Sequence, residues 1–164
     1  MARTEIVHDD ACLRLGVCRN LVVNAWLESP TGIHAKAMGK AILDTATRSR
    51  MNFGVLNAIV AGTPRFTDDF RDEIVKVLRD PRVQGSGSAH IVTLGGFGGV
   101  AVRAFLSTVL LLGRSASPNK VFSDPRAAAV WLAPLLSTGG ERWTSEEILT
   151  AYAEVARVPV TKAG

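Results

Sequence analysis

The chain has 164 residues, of which 47 % are apolar and 21 % charged, with a formal charge of +4. That balance describes one domain with a continuous core and excludes an intrinsically disordered chain. Aromatic residues make up only 6 %, so Ala, Val, Leu and Ile must build most of the core.

The start, MARTEIVHDD, lacks the basic-then-apolar pattern of a secretory leader, and a cytoplasmic protein is expected. No unbroken apolar run approaches the roughly 18 residues of a membrane span, so none is predicted. The positive charge does not point to nucleic acid, because most basic residues have acidic neighbours. The stretch RFTDDFRDEIVKVLRDPR (65–82) interleaves Arg65, Arg71, Lys76, Arg79 and Arg82 with Asp68, Asp69, Asp72, Glu73 and Asp80. An electrostatic footprint needs one-sided clustering.

In chain order, EIVHD (5–9) reads as a short edge strand. ACLRLGVC (11–18) alternates as a strand, with Cys12, Arg14, Gly16 and Cys18 on one face and Leu13, Leu15 and Val17 on the other. Arg19-Asn20 connects it to a β-branched strand over 21–27. After Ser29-Pro30-Thr31-Gly32, the Ala-rich stretch 33–48 predicts a helix, with Ile33, Ala37, Ala41 and Ala46 near helical spacing.

From there strands and helices alternate. Residues 53–60 (FGVLNAIV) predict a buried strand. Thr67 with Asp68 and Asp69 reads as a helix cap with acidic charge in the first turn, followed by Phe70, Ile74, Val77 and Leu78 on one face. Asp80-Pro81 stops that helix. GSGS (85–88) reads as a flexible link before the short strand HIVTL. The loop Gly95-Gly96-Phe97-Gly98-Gly99 then leads into the apolar helix VAVRAFLSTVLLL. KVFS predicts a last strand, Asp124-Pro125 opens a helix, and Thr144 to Glu147 form a capping box for a final helix running to about Val158. The predicted class is α/β: a mixed sheet opened by a hairpin, then β-α alternation with right-handed crossovers. A domain over 5–137 and a helical extension with a short tail over 138–164 are expected.

Chemistry-bearing patterns are few. Gly96 to Ala101 reads G-x-G-x-x-A between a predicted strand and helix, the context in which backbone N–H groups approach a phosphate. Gly95, Gly96, Phe97, Gly98 and Gly99 are therefore a candidate ligand loop. The bland account is a tight turn and close helix-to-sheet packing. Asp68, Asp69, Asp72 and Glu73 complement a helix dipole more economically than they hold a cation. Two cysteines and the scattered His8, His34 and His90 form no metal-ligand spacing, so no metal and no cofactor are expected. No G-x-S-x-G elbow or other nucleophile–base pattern occurs, and the expectation is a protein that is not an enzyme. Trp26, Trp131 and Trp143 read as packing anchors. The broad apolar stripe at Val130, Trp131, Leu132, Leu135 and Leu136 leaves room for an exposed patch.

The element order, together with the segment Pro118-Asn119-Lys120-Val121-Phe122-Ser123-Asp124-Pro125 and the Ala-rich helix carrying Trp131-Leu132, resembles the STAS superfamily in its SpoIIAA-like, anti-sigma-factor-antagonist branch, over roughly residues 5–137. The resemblance implies a regulatory or scaffolding module that binds a protein partner and self-associates as a homo-oligomer. In that family a serine at the start of the helix after the third strand is phosphorylated by a partner kinase. The matching stretch here is Arg65 to Phe70, where the family's Asp-Ser-Ser-Gly pattern is absent and Asp68 and Asp69 stand in place of serines; Thr67 is the residue left to accept a phosphate. Segment 64–71, the 95–99 loop and the last two helices are the candidate partner surfaces. A sensor or carrier of a nucleotide, phosphate or lipid at Gly95 to Gly99 is the alternative function.

Overall fold

The computed structural model describes residues 3–60 and 65–157. One sheet of six strands runs in sequential order: β1 (Glu5–Asp9), β2 (Leu13–Cys18), β3 (Leu21–Trp26), β4 (Gly54–Ile59), β5 (Gly87–Val92) and β6 (Asn119–Phe122). The first three pair antiparallel, and β3 to β6 pair parallel. This is the mixed α/β sheet expected from the hairpin start and the later alternation.

Strand order dictates the layers. Each parallel step moves the chain the same way along the sheet, and right-handed crossovers place their helices on one face. That face carries α1 (Gly32–Arg48), α2 (Asp68–Arg79) and α3 (Gly96–Gly113). Leu13, Leu15, Val22, Val55, Ile59 and Val92 meet Met38, Ile42, Phe70, Ile74, Val102 and Leu106 there. The opposite face, with Leu21, Val23, Leu56 and Ile91, would lie bare without α4 (Pro125–Leu136) and α5 (Ser145–Ala156), which cover it with Leu132, Leu136, Ile148 and Val155. The helix over 145–156, set apart in the sequence as an extension, thus shares the central core.

The β2–β3 turn secures that second layer. Asn20 is buried: its Nδ2 donates to the carbonyls of Asn52 (2.9 Å) and Leu136 (3.3 Å), and its Oδ1 accepts from Trp143 Nε1 at 2.7 Å. The Arg19 guanidinium lies 3.7 Å above the Trp143 ring. Trp26 packs edge-on against Phe70, and Trp131 packs at a tilt against Phe122, so all three tryptophans serve packing.

Several local expectations are corrected. β2 begins at Leu13, so Cys12 lies in the preceding turn and does not share a strand face with Cys18. Asp10 explains this, because its Oδ1 accepts from the backbone of Cys12 and Leu13 and ends the hairpin turn there. The buried side of α1 is Ala35, Met38, Ala41, Ile42, Thr45 and Ala46, while Ile33 faces solvent at 73 % exposure. Gly87 and Ser88 belong to β5 and are no flexible link; a Cβ on Gly87 would come within 2.8 Å of Leu135. α5 ends at Ala156, and position 158, the following tail and position 64 of segment 64–71 lie outside the described residues. Asp124 caps α4 through the N–H groups of Arg126 and Ala127, and the capping box at Thr144 and Glu147 is formed.

The glycine loop is also shorter than expected. Gly96 to Gly99 are the first turn of α3, and Gly95 is its cap residue. Gly96 has φ +59, Gly98 has open space around it, and a Cβ on Gly99 would overlap the Leu94 carbonyl oxygen. Close packing therefore requires glycine at 99 and not at 98. Gly98→Ala is expected to stabilise the protein by about 0.5–1 kcal/mol through helix propensity. Gly99→Ala is expected to cost about 1–3 kcal/mol because backbone must move; urea unfolding of the two variants checks the opposite signs.

Candidate functional site

The in-register pairing of β3, β4 and β5 sets Asn24, Asn57 and His90 side by side. They lie on the face under α1 to α3, amid otherwise apolar residues. Their hydrogen bonds run in one direction. Asn119 donates from Nδ2 to the Ser117 carbonyl at 2.6 Å, which turns its Oδ1 toward His90. His90 must then carry its proton on Nε2, which donates to that oxygen at 3.3 Å. His90 Nδ1 accepts from Asn57 Nδ2 at 3.2 Å, and Asn57 Oδ1 accepts from Asn24 Nδ2 at 2.6 Å. A single backbone carbonyl in the loop after α3 thereby sets the tautomer and amide orientations across four strands.

Above this polar row is a cavity of about 100 Å³ between the sheet and the helices. In comparable measure, a water needs about 10–15 Å³, and an apolar cavity of about 150 Å³ takes up benzene. The space therefore suits one small molecule or part of a larger one. At the carboxyl ends of the strands its walls are Trp26, Phe66, Phe70 and Phe105. Phe66 stacks on Phe105 with centroids 3.8 Å apart. At the opposite end the walls are Ser88, His90, Ser115, Ser117 and Asn119. Among the described residues no Asp, Glu, Lys or Arg lines it. The buried Ser117 Oγ, at the polar end, has no hydrogen-bond partner, and neither does Asn24 Oδ1 at the far end of the row. An apolar cavity with a few convergent polar groups is the usual form of a small-molecule site.

The residues singled out in the sequence lie elsewhere. Thr67, Asp68 and Asp69 start α2 on the surface. Asp69 accepts from the Gly32 backbone N–H at 2.8 Å, joining the starts of α1 and α2. Hydrogen bonds from the Thr67 side chain and from Gly32 hold its carboxyl below the usual range. Asp68 and Asp72 pair with Arg71, and Glu73 pairs with Lys76, so the acidic cluster is engaged by its own helix. Gly95 to Gly99 do not line the cavity; Phe97 projects from them at 96 % exposure.

Two groupings escaped the sequence. The Asn24–Asn57–His90–Asn119 row depends on strand register, and its only linear signal is a polar residue within each of β3, β4 and β5. Of the three histidines read as scattered, two meet: His8 Nε2 lies 2.7 Å and His34 Nε2 3.2 Å from the same oxygen of Asp10, while His90 stands apart in the sheet.

Burial keeps the His90 imidazole below the ordinary histidine range, with the Asn119 hydrogen bond opposing. An unfolded chain binds a proton there below about pH 6.5 while the native one resists, so stability falls as pH drops from that point toward the native value. Urea unfolding at stepped pH is expected to show His90→Gln losing less stability than wild type on acidification. The difference in slope should approach, at most, about 1.4 kcal/mol per pH unit.

No protein-family model and no curated protein matches the chain.

Proposed function

We propose that this protein is a non-catalytic binding module whose cavity between the sheet and α1 to α3 takes a small, uncharged, largely apolar molecule. The observation that carries this reading is the cavity itself: aromatic at one end, hydrogen-bonding at the other, and without a charged wall. A carboxylate or phosphate would be desolvated there without a cationic partner, which is costly. A ligand hydroxyl or carbonyl, by contrast, would meet Ser117 Oγ while its apolar body lay toward Phe66 and Phe105. The small-molecule alternative at Gly95 to Gly99 is thereby moved to a different place and a different ligand chemistry.

Phenol, with one ring and one hydroxyl, tests this. One molecule should bind per chain, read as saturable shifts of the cavity-lining residues in protein NMR, and Leu106→Trp, which fills the cavity, should weaken binding at least tenfold while circular dichroism stays native. Absent binding to wild type, or equal binding to the variant, would sink the reading.

A second reading, regulation through a protein partner or a second copy in the manner of the anti-sigma-factor antagonists, is favoured by the outer face of α3. Phe97, Val100, Leu111 and Leu112 stand 96, 64, 78 and 41 % exposed there, more apolar surface than scattered single residues present. α3 is also long and apolar enough to cross a membrane by length and composition, although Arg103 interrupts its apolar run. Its inner residues Val102, Leu106 and Val109 are buried against the core. A phosphate on Thr67 would stand beside the carboxylates of Asp68 and Asp69, which disfavours a modification switch there. Replacing both Phe97 and Leu111 by Asp is expected to change folding stability by less than about 0.5 kcal/mol each. The same change should abolish any self-association seen by sedimentation velocity; persistence of that association in the double variant would exclude this face as the contact.

A further inference from the structure

We propose that His8, Asp10 and His34 form a binding site for one divalent transition metal of the zinc class, independent of the cavity. The three residues come from three pieces of chain: β1, the β1–β2 turn and the first turn of α1. Their ligand atoms all lie within 4.8 Å of one another. A tetrahedral zinc with bonds of about 2.0–2.1 Å places its ligands about 3.3 Å apart. The observed separations of 2.7 Å (His8 to Asp10) and 3.2 Å (His34 to Asp10) require only small outward shifts to admit the ion.

The supports of these groups are already in place. Asp10 offers Oδ2 to the imidazoles while its Oδ1 is held by the backbone N–H groups of Cys12 (2.8 Å) and Leu13 (2.9 Å). The carboxylate is therefore oriented before any metal arrives.

His34 has a partner for each tautomer. Its Nδ1 accepts from the Thr31 N–H at 2.9 Å, which leaves the proton on Nε2, toward Asp10. Metal at Nε2 requires that proton to move to Nδ1. The Thr31 Oγ1, 3.1 Å from Nδ1, is placed to accept from it, while the Thr31 N–H loses Nδ1 as its acceptor and must turn aside. A histidine ligand whose other ring nitrogen donates to a fixed oxygen is the usual arrangement in metal sites. The ring exchanges one tautomer for the other, so no net proton is released from it.

The location fits as well. Helix α1 follows β3 and the β1–β2 turn lies beside the end of that strand, so the group sits at the carboxyl end of the parallel sheet, where open α/β sheets bind ligands. Side-chain exposures of 27, 40 and 13 % for His8, Asp10 and His34 leave the group open to solvent and to a fourth, non-protein ligand.

The test uses the full chain stripped with EDTA and titrated with Zn²⁺ by calorimetry. One ion should bind per chain, and both His8→Gln and His34→Gln should weaken it at least tenfold. In the wild type, long-range proton–nitrogen NMR should show His34 exchanging an Nε2 proton for an Nδ1 proton at one equivalent of Zn²⁺, a readout that does not depend on any variant folding. Imidazole signals of His8 and His34 that do not move, or wild-type affinity in both variants, would overturn the site. Binding that survives both histidine changes and disappears in Cys12→Ser would assign the metal to the thiol and overturn it equally.

Discussion

The in-register parallel pairing of β3, β4 and β5 is the constraint on which the rest depends. It sets the buried Asn24 and His90 and the half-buried Asn57 in a single row, and such polar groups must bond to one another or cost several kcal/mol. Asn24, Asn57 and His90 can do so only at this register, since a slip of one residue would move them to opposite faces. The row therefore fixes the alignment of the central strands more narrowly than their apolar residues could. Asn57 and His90 of that row also line the cavity, so the residues that fix the register border the space proposed to take a ligand.

Sequential strand order carries a second consequence. With all crossovers on one side, α1 to α3 crowd one face and the chain must supply two further helices for the other. Trp143 and Asn20 lock that return, joining the α4–α5 connection to the β2–β3 turn. α3 is held by one buried side only, Val102, Leu106 and Val109. Its opposite side is apolar and exposed, and beneath it lies the cavity. The helix thus stands between the internal space and the outer surface, which is the arrangement a ligand-responsive contact would need.

Much of the architecture was legible in the chain because it depends on local signals. The cap at Asp124-Pro125, the capping box at Thr144 to Glu147 and the stop at Asp80-Pro81 act within one helical turn, and all mark element ends in the structure. Errors arose where tertiary packing outweighed local preference. Ser88 is a strand residue because β4 and β6 flank it, although GSGS has the composition of a flexible link. Ile33 is exposed because the position of α1 against the sheet, set by Ala35, Met38 and Ile42, leaves it on the outer side. The glycines at 95–99 have a loop composition, yet three of them open a helix. Of the candidate residues, Asp69 does join two elements, but by bonding to backbone, and the glycine turn lies outside the cavity.

What the sequence determined by itself was the class of fold and the order of its elements, because periodicity, caps and breakers are read over a few residues. Only the tertiary structure decided which polar residues meet. His8 and His34 are brought to one carboxylate oxygen by the hairpin and the start of α1. Asn24, Asn57 and His90 are brought into one row by strands that lie about thirty positions apart in the chain. Such contacts follow from register and helix placement, quantities that belong to the whole sheet and leave no mark on the local pattern around any of these residues.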